Sequence, residues 1–70
     1  MLRRGSKGDA VAELQRSLRK LGFMVAVDAD FGAGTEVAVA AFQRDRKLDV
    51  DGMVGNITWA ALDKALKGGK

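Results

Sequence analysis

The stretch "VDADFGAGTEVAVAAF", residues 27–42, decides the fold, because "VDGMVGNITWAAL", residues 50–62, follows it in nearly the same order. Asp28, Gly32, Thr35 and Ala38 match Asp51, Gly55, Thr58 and Ala61 at a constant displacement of 23 positions. Each copy runs from an aspartate through an apolar residue and a glycine to a threonine, and then into helical spacing. An aspartate can fold its carboxylate onto backbone N–H groups just downstream, and glycine takes positive φ cheaply. A threonine at a helix start can satisfy a free N–H of the first turn. Phe31 and Val54 are the expected pegs that pin the loops to a core. The motif therefore reads as a helix-starting device used twice, with Thr35 opening a second helix and Thr58 a third.

The rest of the chain fits around this pair. Upstream, Ser6 is placed to cap a first helix, with Asp9 three positions on completing a capping-box-like pair. Val11, Leu14, Leu18 and Leu21 share one helical stripe, while Arg16, Arg19 and Lys20 face the other way. Gly22 is the natural stop, and Phe23 to Val27 read as an extended connector. The second helix carries Val39 and Phe42 and is expected to end near Lys47. Leu48 and Val50 lead into the second loop, and Trp59, Leu62 and Leu66 form one face of the third helix. Gln15 and Gln43, beside core positions, are expected to hydrogen-bond loop backbone. The fold class is all-α: a compact three-helix domain over residues 1–67, with 68–70 a tail or the start of a linker.

Composition narrows the chemistry. The 70 residues include no cysteine and no histidine, which removes disulfides, thiolate or imidazole metal sites, and nucleophilic triads built on either residue. Twelve Lys and Arg against nine Asp and Glu leave a formal charge of +3, spread along the chain, so attraction to anionic polymers is mild. The apolar runs "FMVAV" and "VAVAAF" are too short to cross a membrane. "DAD" and "DVD" suggest a calcium loop, but from Asp28 an EF-hand register meets Gly32, Ala33 and Val39 where oxygen, glycine and glutamate are needed. From Asp49 it meets Met53, Val54 and Ala60, so both fail. No metal or cofactor is expected. Asp28, Asp30, Asp49 and Asp51 could lie near one another, but a glycosidase needs two carboxyls facing across a deep cleft, which so small a core rarely builds. Two loops that each deliver a helix N-terminus could instead receive a carboxylate or a sugar hydroxyl. The basic run "FQRDRK" leaves binding to nucleic acid or another anionic polymer as the alternative.

The ordered set Gly5, Gly8, Val11, Leu14, Gln15, Leu18, Gly22, then Phe31, Gly32, Thr35, Ala38, Val39, Phe42, Gln43, then Leu48, Asp51, Gly52, Val54, Gly55, Thr58 and Leu62 resembles one family. It is the three-helix peptidoglycan-binding domain of bacterial and phage cell-wall hydrolases. The resemblance implies a non-catalytic module, expected to be a monomer, that holds a covalently linked catalytic domain against glycan strand and stem peptide. Ligand contacts are then expected at Asp28, Asp30, Phe31, Gly32, Thr35, Asp51, Gly52, Val54, Gly55, Asn56 and Thr58. Similar domains also occur in the propeptides of matrix metalloproteinases, so fold alone does not dictate ligand. With no signal peptide expected, the protein would be made in the cytoplasm and act at the wall, as phage endolysins do, with neither membrane insertion nor nucleic acid involved. Two departures from the family pattern stand out: Asp28-Ala29 where Asp-Gly is usual, and Lys47 where a glycine is usual before Leu48.

Overall fold

The computed structural model describes residues 1–68. Among them the chain forms α1 (Asp9–Lys20), α2 (Ala33–Asp45) and α3 (Asn56–Gly68), with β-pairing limited to two isolated bridges, Leu2 with Val54 and Lys7 with Asp30. The third helix thus takes in Gly68, the first residue of the expected tail; the remainder, 69–70, lies outside the described residues. The radius of gyration is 10.6 Å, close to the roughly 11 Å of a compact chain this long. No described helix is long and apolar enough to span a bilayer.

The core is built as the spacing requires. Val11, Leu14 and Leu18 of α1 meet Ala38, Val39 and Phe42 of α2 and Leu62 of α3, and Phe31 and Val54 plug it from the two loops. Val25, in the extended connector, adds one more buried side chain. Phe23 packs edge-on against Phe42, ring centroids 5.8 Å apart, a geometry favoured by the aromatic quadrupole. Leu66 departs from expectation. It is 38% exposed, so the inward face of α3 is carried by Leu62 with half-buried Trp59, Ala61 and Ala65.

The helix starts differ from the sequence reading. The residues flanking α1 and α2 are Gly8 and Gly32, neither with a side-chain cap. Ser6 Oγ instead accepts the Arg3 N–H at 3.1 Å, closing a turn in the N-terminal segment. Thr35 and Thr58 are the third residues of their helices and are buried; their hydroxyls face inward, to partners described below.

Helix ends follow one recipe twice. After α1, Gly22 takes φ 95°, its N–H reaching Arg19 O while Phe23 N–H reaches Leu18 O. After α2, Lys47 takes φ 59°, with Lys47 N–H on Arg44 O and Leu48 N–H on Gln43 O. Both are Schellman closures, the second made by a lysine where glycine would be unstrained. Ala29 is likewise left-handed at φ 62°, whereas its counterpart Gly52 has φ 73°. A Cβ on Gly52 would lie 3.0 Å from Glu36 Cγ, so a side chain there would have to displace that of Glu36.

The N-terminal segment straps both loops. Leu2 and Val54 exchange backbone hydrogen bonds at 3.0 and 2.8 Å, and Gly5 and Ser6 bracket Phe31 in the same way at 3.0 and 2.9 Å. Lys47→Gly and Ala29→Gly should each raise unfolding free energy by about 1 kcal/mol in urea titrations, by removing left-handed strain from a residue with a Cβ. A loss of stability in either variant would mean that the turn in question is not left-handed.

Candidate functional site

Each repeated loop is built around a buried glutamine. Gln15, from α1, is fully buried; its Oε1 accepts the N–H groups of Asp28 and Ala29 at 3.0 and 2.9 Å. Its Nε2 donates toward Asp28 Oδ1, Asp30 O and Thr35 Oγ1, all within 3.1 Å. Gln43, from α2, repeats the pattern on the second loop. Its Oε1 accepts from Asp51 and Gly52 at 3.1 and 3.0 Å, and its Nε2 donates toward Asp51 Oδ1, Met53 O and Thr58 Oγ1. The aspartates close the ring through Asx-turns, Asp28 Oδ1 accepting from Asp30 N–H and Asp51 Oδ1 from Met53 N–H. No described buried side-chain nitrogen or oxygen lacks a partner. Asp and Thr recur in the sequence because one amide needs the groups of both.

Those bonds set the charge state of the loops. The Asp30 N–H, then the Gln15 amide, hold the Asp28 carboxyl below the ordinary aspartate range; the Met53 N–H, then the Gln43 amide, do the same for Asp51. Both groups are ionised at neutral pH, so neither is suited to donate a proton as a general acid.

The loops also create two clefts that occupy the same place in the repeat. The first is bounded by Val25, Ala26, Asp28, Asp30, Gly32, Gly34 and Thr35 and holds about 100 Å3. Adding 23 to each number gives Leu48, Asp49, Asp51, Met53, Gly55, Ile57 and Thr58, all of which line the second cleft, together with Met1, Gln43 and Asn56. The second holds about 370 Å3. Asp30 has become Met53 and Gly34 has become Ile57, so the later copy is walled by longer apolar side chains. Ile57 is 73% exposed, an unusual placement for an isoleucine with nothing to pack against.

Of the residues expected at the ligand surface, Asp28, Asp30 and Gly32 border the first cleft with Thr35, and Asp51, Gly55 and Asn56 border the second with Thr58. Phe31 and Val54 are closed into the core, and Gly52 is buried under Glu36; these three shape the loops from beneath. The sequence reading passed over Leu48, Asp49, Met53 and Ile57 as site residues. Their signal lay in the repeat's unmatched positions, which is where a duplicated loop is free to diverge. No cluster of metal-binding side chains occurs among the described residues.

Two outcomes follow. Gln43→Leu should cost at least about 2 kcal/mol, since the Asp51 and Gly52 N–H groups lose their acceptor, measured by chemical denaturation. Because the folded-state carboxyls titrate below their unfolded values, their contribution is complete above the unfolded value and is lost as pH falls through the folded one. The melting temperature should therefore hold from about pH 7 to pH 5 and fall below about pH 4, with a shallower fall in Asp28→Asn.

The sequence model of the family described as "Putative peptidoglycan binding domain" matches residues 7–62. The spore cortex-lytic enzyme of Bacillus cereus is 43% identical over 68 residues, a match covering 96% of this chain and 26% of that enzyme. The chain thus spans about a quarter of that relative's length. The crystal structure of the SleB N-terminal domain superposes with a TM-score of 0.89 at 43% identity, covering 91% of this chain and 89% of that one. The endolysin of Burkholderia phage AP3 gives a TM-score of 0.85 at 43% identity over 87% of this chain and 24% of that one. With the doubled glutamine bracket falling inside the matched residues, the chain belongs to this family of peptidoglycan-binding domains, found in cell-wall hydrolases.

Proposed function

We propose that the chain is a non-catalytic module that binds peptidoglycan and holds a covalently linked hydrolase, of the phage endolysin type, against its insoluble substrate. The observation that carries this reading is the second cleft: a preformed apolar recess of about 370 Å3 at the start of α3, with Ile57 presented on its wall. Binding sites are typically concave, apolar and sparingly polar in this way. Asp51, Gly55, Asn56 and Thr58 supply the polar groups there, and Asp28, Asp30, Gly32 and Thr35 supply a smaller second contact. Tethering a catalytic domain this way raises its effective concentration on the wall without adding chemistry. The domain works as a monomer at the cell wall.

The electrostatic basis for the anionic-polymer alternative is a net charge of +3, part of it held in exposed ion pairs. Arg4 pairs with Glu36, Lys7 with Asp30, Arg46 with Asp45 and Lys67 with Asp63. Phosphate contacts would have to compete with these partners.

The test is co-sedimentation with purified sacculi, freed of lipopolysaccharide and teichoic acid, in moderate salt. The chain should pellet with the sacculi, and Ile57→Ser should weaken binding by about fivefold through lost apolar contact, with an unchanged melting temperature because the side chain is exposed. Failure to pellet, together with steeply salt-dependent binding to DNA, would replace this reading with the nucleic-acid one.

A further inference from the structure

Resting on the peptidoglycan reading, we propose that the second cleft takes the amine-bearing aliphatic side chain of a stem-peptide residue, its ammonium facing Asp49 and Asp51 and its methylenes lying along Leu48, Met53 and Ile57. The lining contains two carboxylates and no lysine or arginine side chain, together with Met1, which carries the α-amino group. Asp51 Oδ1 is taken up by Gln43 and the Met53 N–H, while Oδ2 has no hydrogen bond among the described residues and remains free for a ligand. The long apolar walls suit a hydrocarbon stem, and the acidic rim suits a cation at its end.

The first cleft supplies an internal comparison. There the Lys7 ammonium lies 3.7 Å from Asp30 Oδ1, so the chain's own lysine already sits beside the acidic rim. In the second cleft the position of Asp30 is held by Met53, the acid has moved to Asp49 in place of Ala26, and neither Asp49 nor Asp51 forms an ion pair among the described residues. The duplicated site thus carries two carboxylates that no ion pair among the described residues takes up, set beside exposed apolar surface at Ile57. A lysine-like side chain complements both. A glycan hydroxyl would use neither the charge nor the full apolar wall, and a peptide carboxylate would be repelled by the rim.

The test compares purified sacculi bearing free stem-peptide amines with the same sacculi after acetylation by acetic anhydride. Acetylation should weaken binding by about tenfold. Bulk electrostatics predicts the opposite sign, since a chain of net charge +3 would prefer the more anionic acetylated wall. Asp49→Asn should weaken binding to untreated sacculi by about threefold and leave binding to acetylated sacculi unchanged. Asp63→Asn, an equal change of charge on the outer face of α3, should alter neither. Equal binding to both sacculi, or equal losses in the two variants, would overturn the amine assignment while leaving peptidoglycan binding intact; no binding to either preparation would overturn both readings.

Discussion

A carboxamide cannot be buried in a small apolar core unless nearly all of its hydrogen-bonding capacity is met, because each unmet group costs as much as several favourable contacts return. Gln15 and Gln43 are buried at 0% and 1% exposure, and the rest of the domain answers that demand. Two consecutive backbone N–H groups must turn inward onto Oε1, which requires a left-handed residue at position 29 or 52. A carboxylate, a carbonyl and a hydroxyl must converge on Nε2, which places Asp, the loop carbonyl and Thr at fixed intervals. The apolar pegs Phe31 and Val54 and the Leu14, Leu18 and Phe42 side chains enclose the brackets. With no cysteine or histidine in the sequence, these amide knots take the place that cross-links hold in many domains of this size.

The same scaffold explains why the two loops diverged. The bracket constrains Asp, the left-handed residue and Thr, and leaves the intervening positions to the surface. In the first loop those positions are small or charged, and the strap from Gly5 to Gly8 lies across the loop with Lys7 beside Asp30. In the second, the strap's backbone pairs at Leu2 with Val54, Met1 lies beside the cleft, and Leu48, Met53 and Ile57 rise around an open recess. The strap closes over the first copy, and the second leaves an open recess.

Much of this was legible in the letters, and each departure has a physical origin. The stripe of Val11, Leu14 and Leu18, the stop at Gly22 and the pegs Phe31 and Val54 follow directly from periodicity and turn chemistry. The threonines did not. A Thr at a helix start serves equally well as an N-cap hydroxyl on solvent-facing backbone or as a third-position hydroxyl turned into the core, and a shift of two or three residues in the helix boundary decides between them. What separates the two cases is a partner 15 or 20 residues away, Gln43 for Thr58 and Gln15 for Thr35, and no local window contains it. Ser6 differs for a local reason: its hydroxyl closes a turn with Arg3, three residues upstream, in place of the helix start. The cleft escaped notice because it is lined by the residues that break the repeat, while attention falls naturally on those that keep it.

Rigidity in such a loop bears on recognition as well as stability. Each bracket fixes its turn through side-chain bonds to two backbone N–H groups and a carbonyl, so the second cleft exists before any ligand arrives, and binding need not order the loop. Under the proposed function the ligand is a flexible peptide on a solid polymer, which would itself lose freedom when held. A preformed recess leaves only the ligand's entropy to be overcome, and under the proposed function the modest contacts of one small cleft would suffice to retain an attached enzyme, because dissociation from one wall site would leave the domain among many identical ones. Weak, rapidly exchanging contacts suit that task better than tight ones: a hydrolase pinned to a single strand could not reach the next bond to be cut.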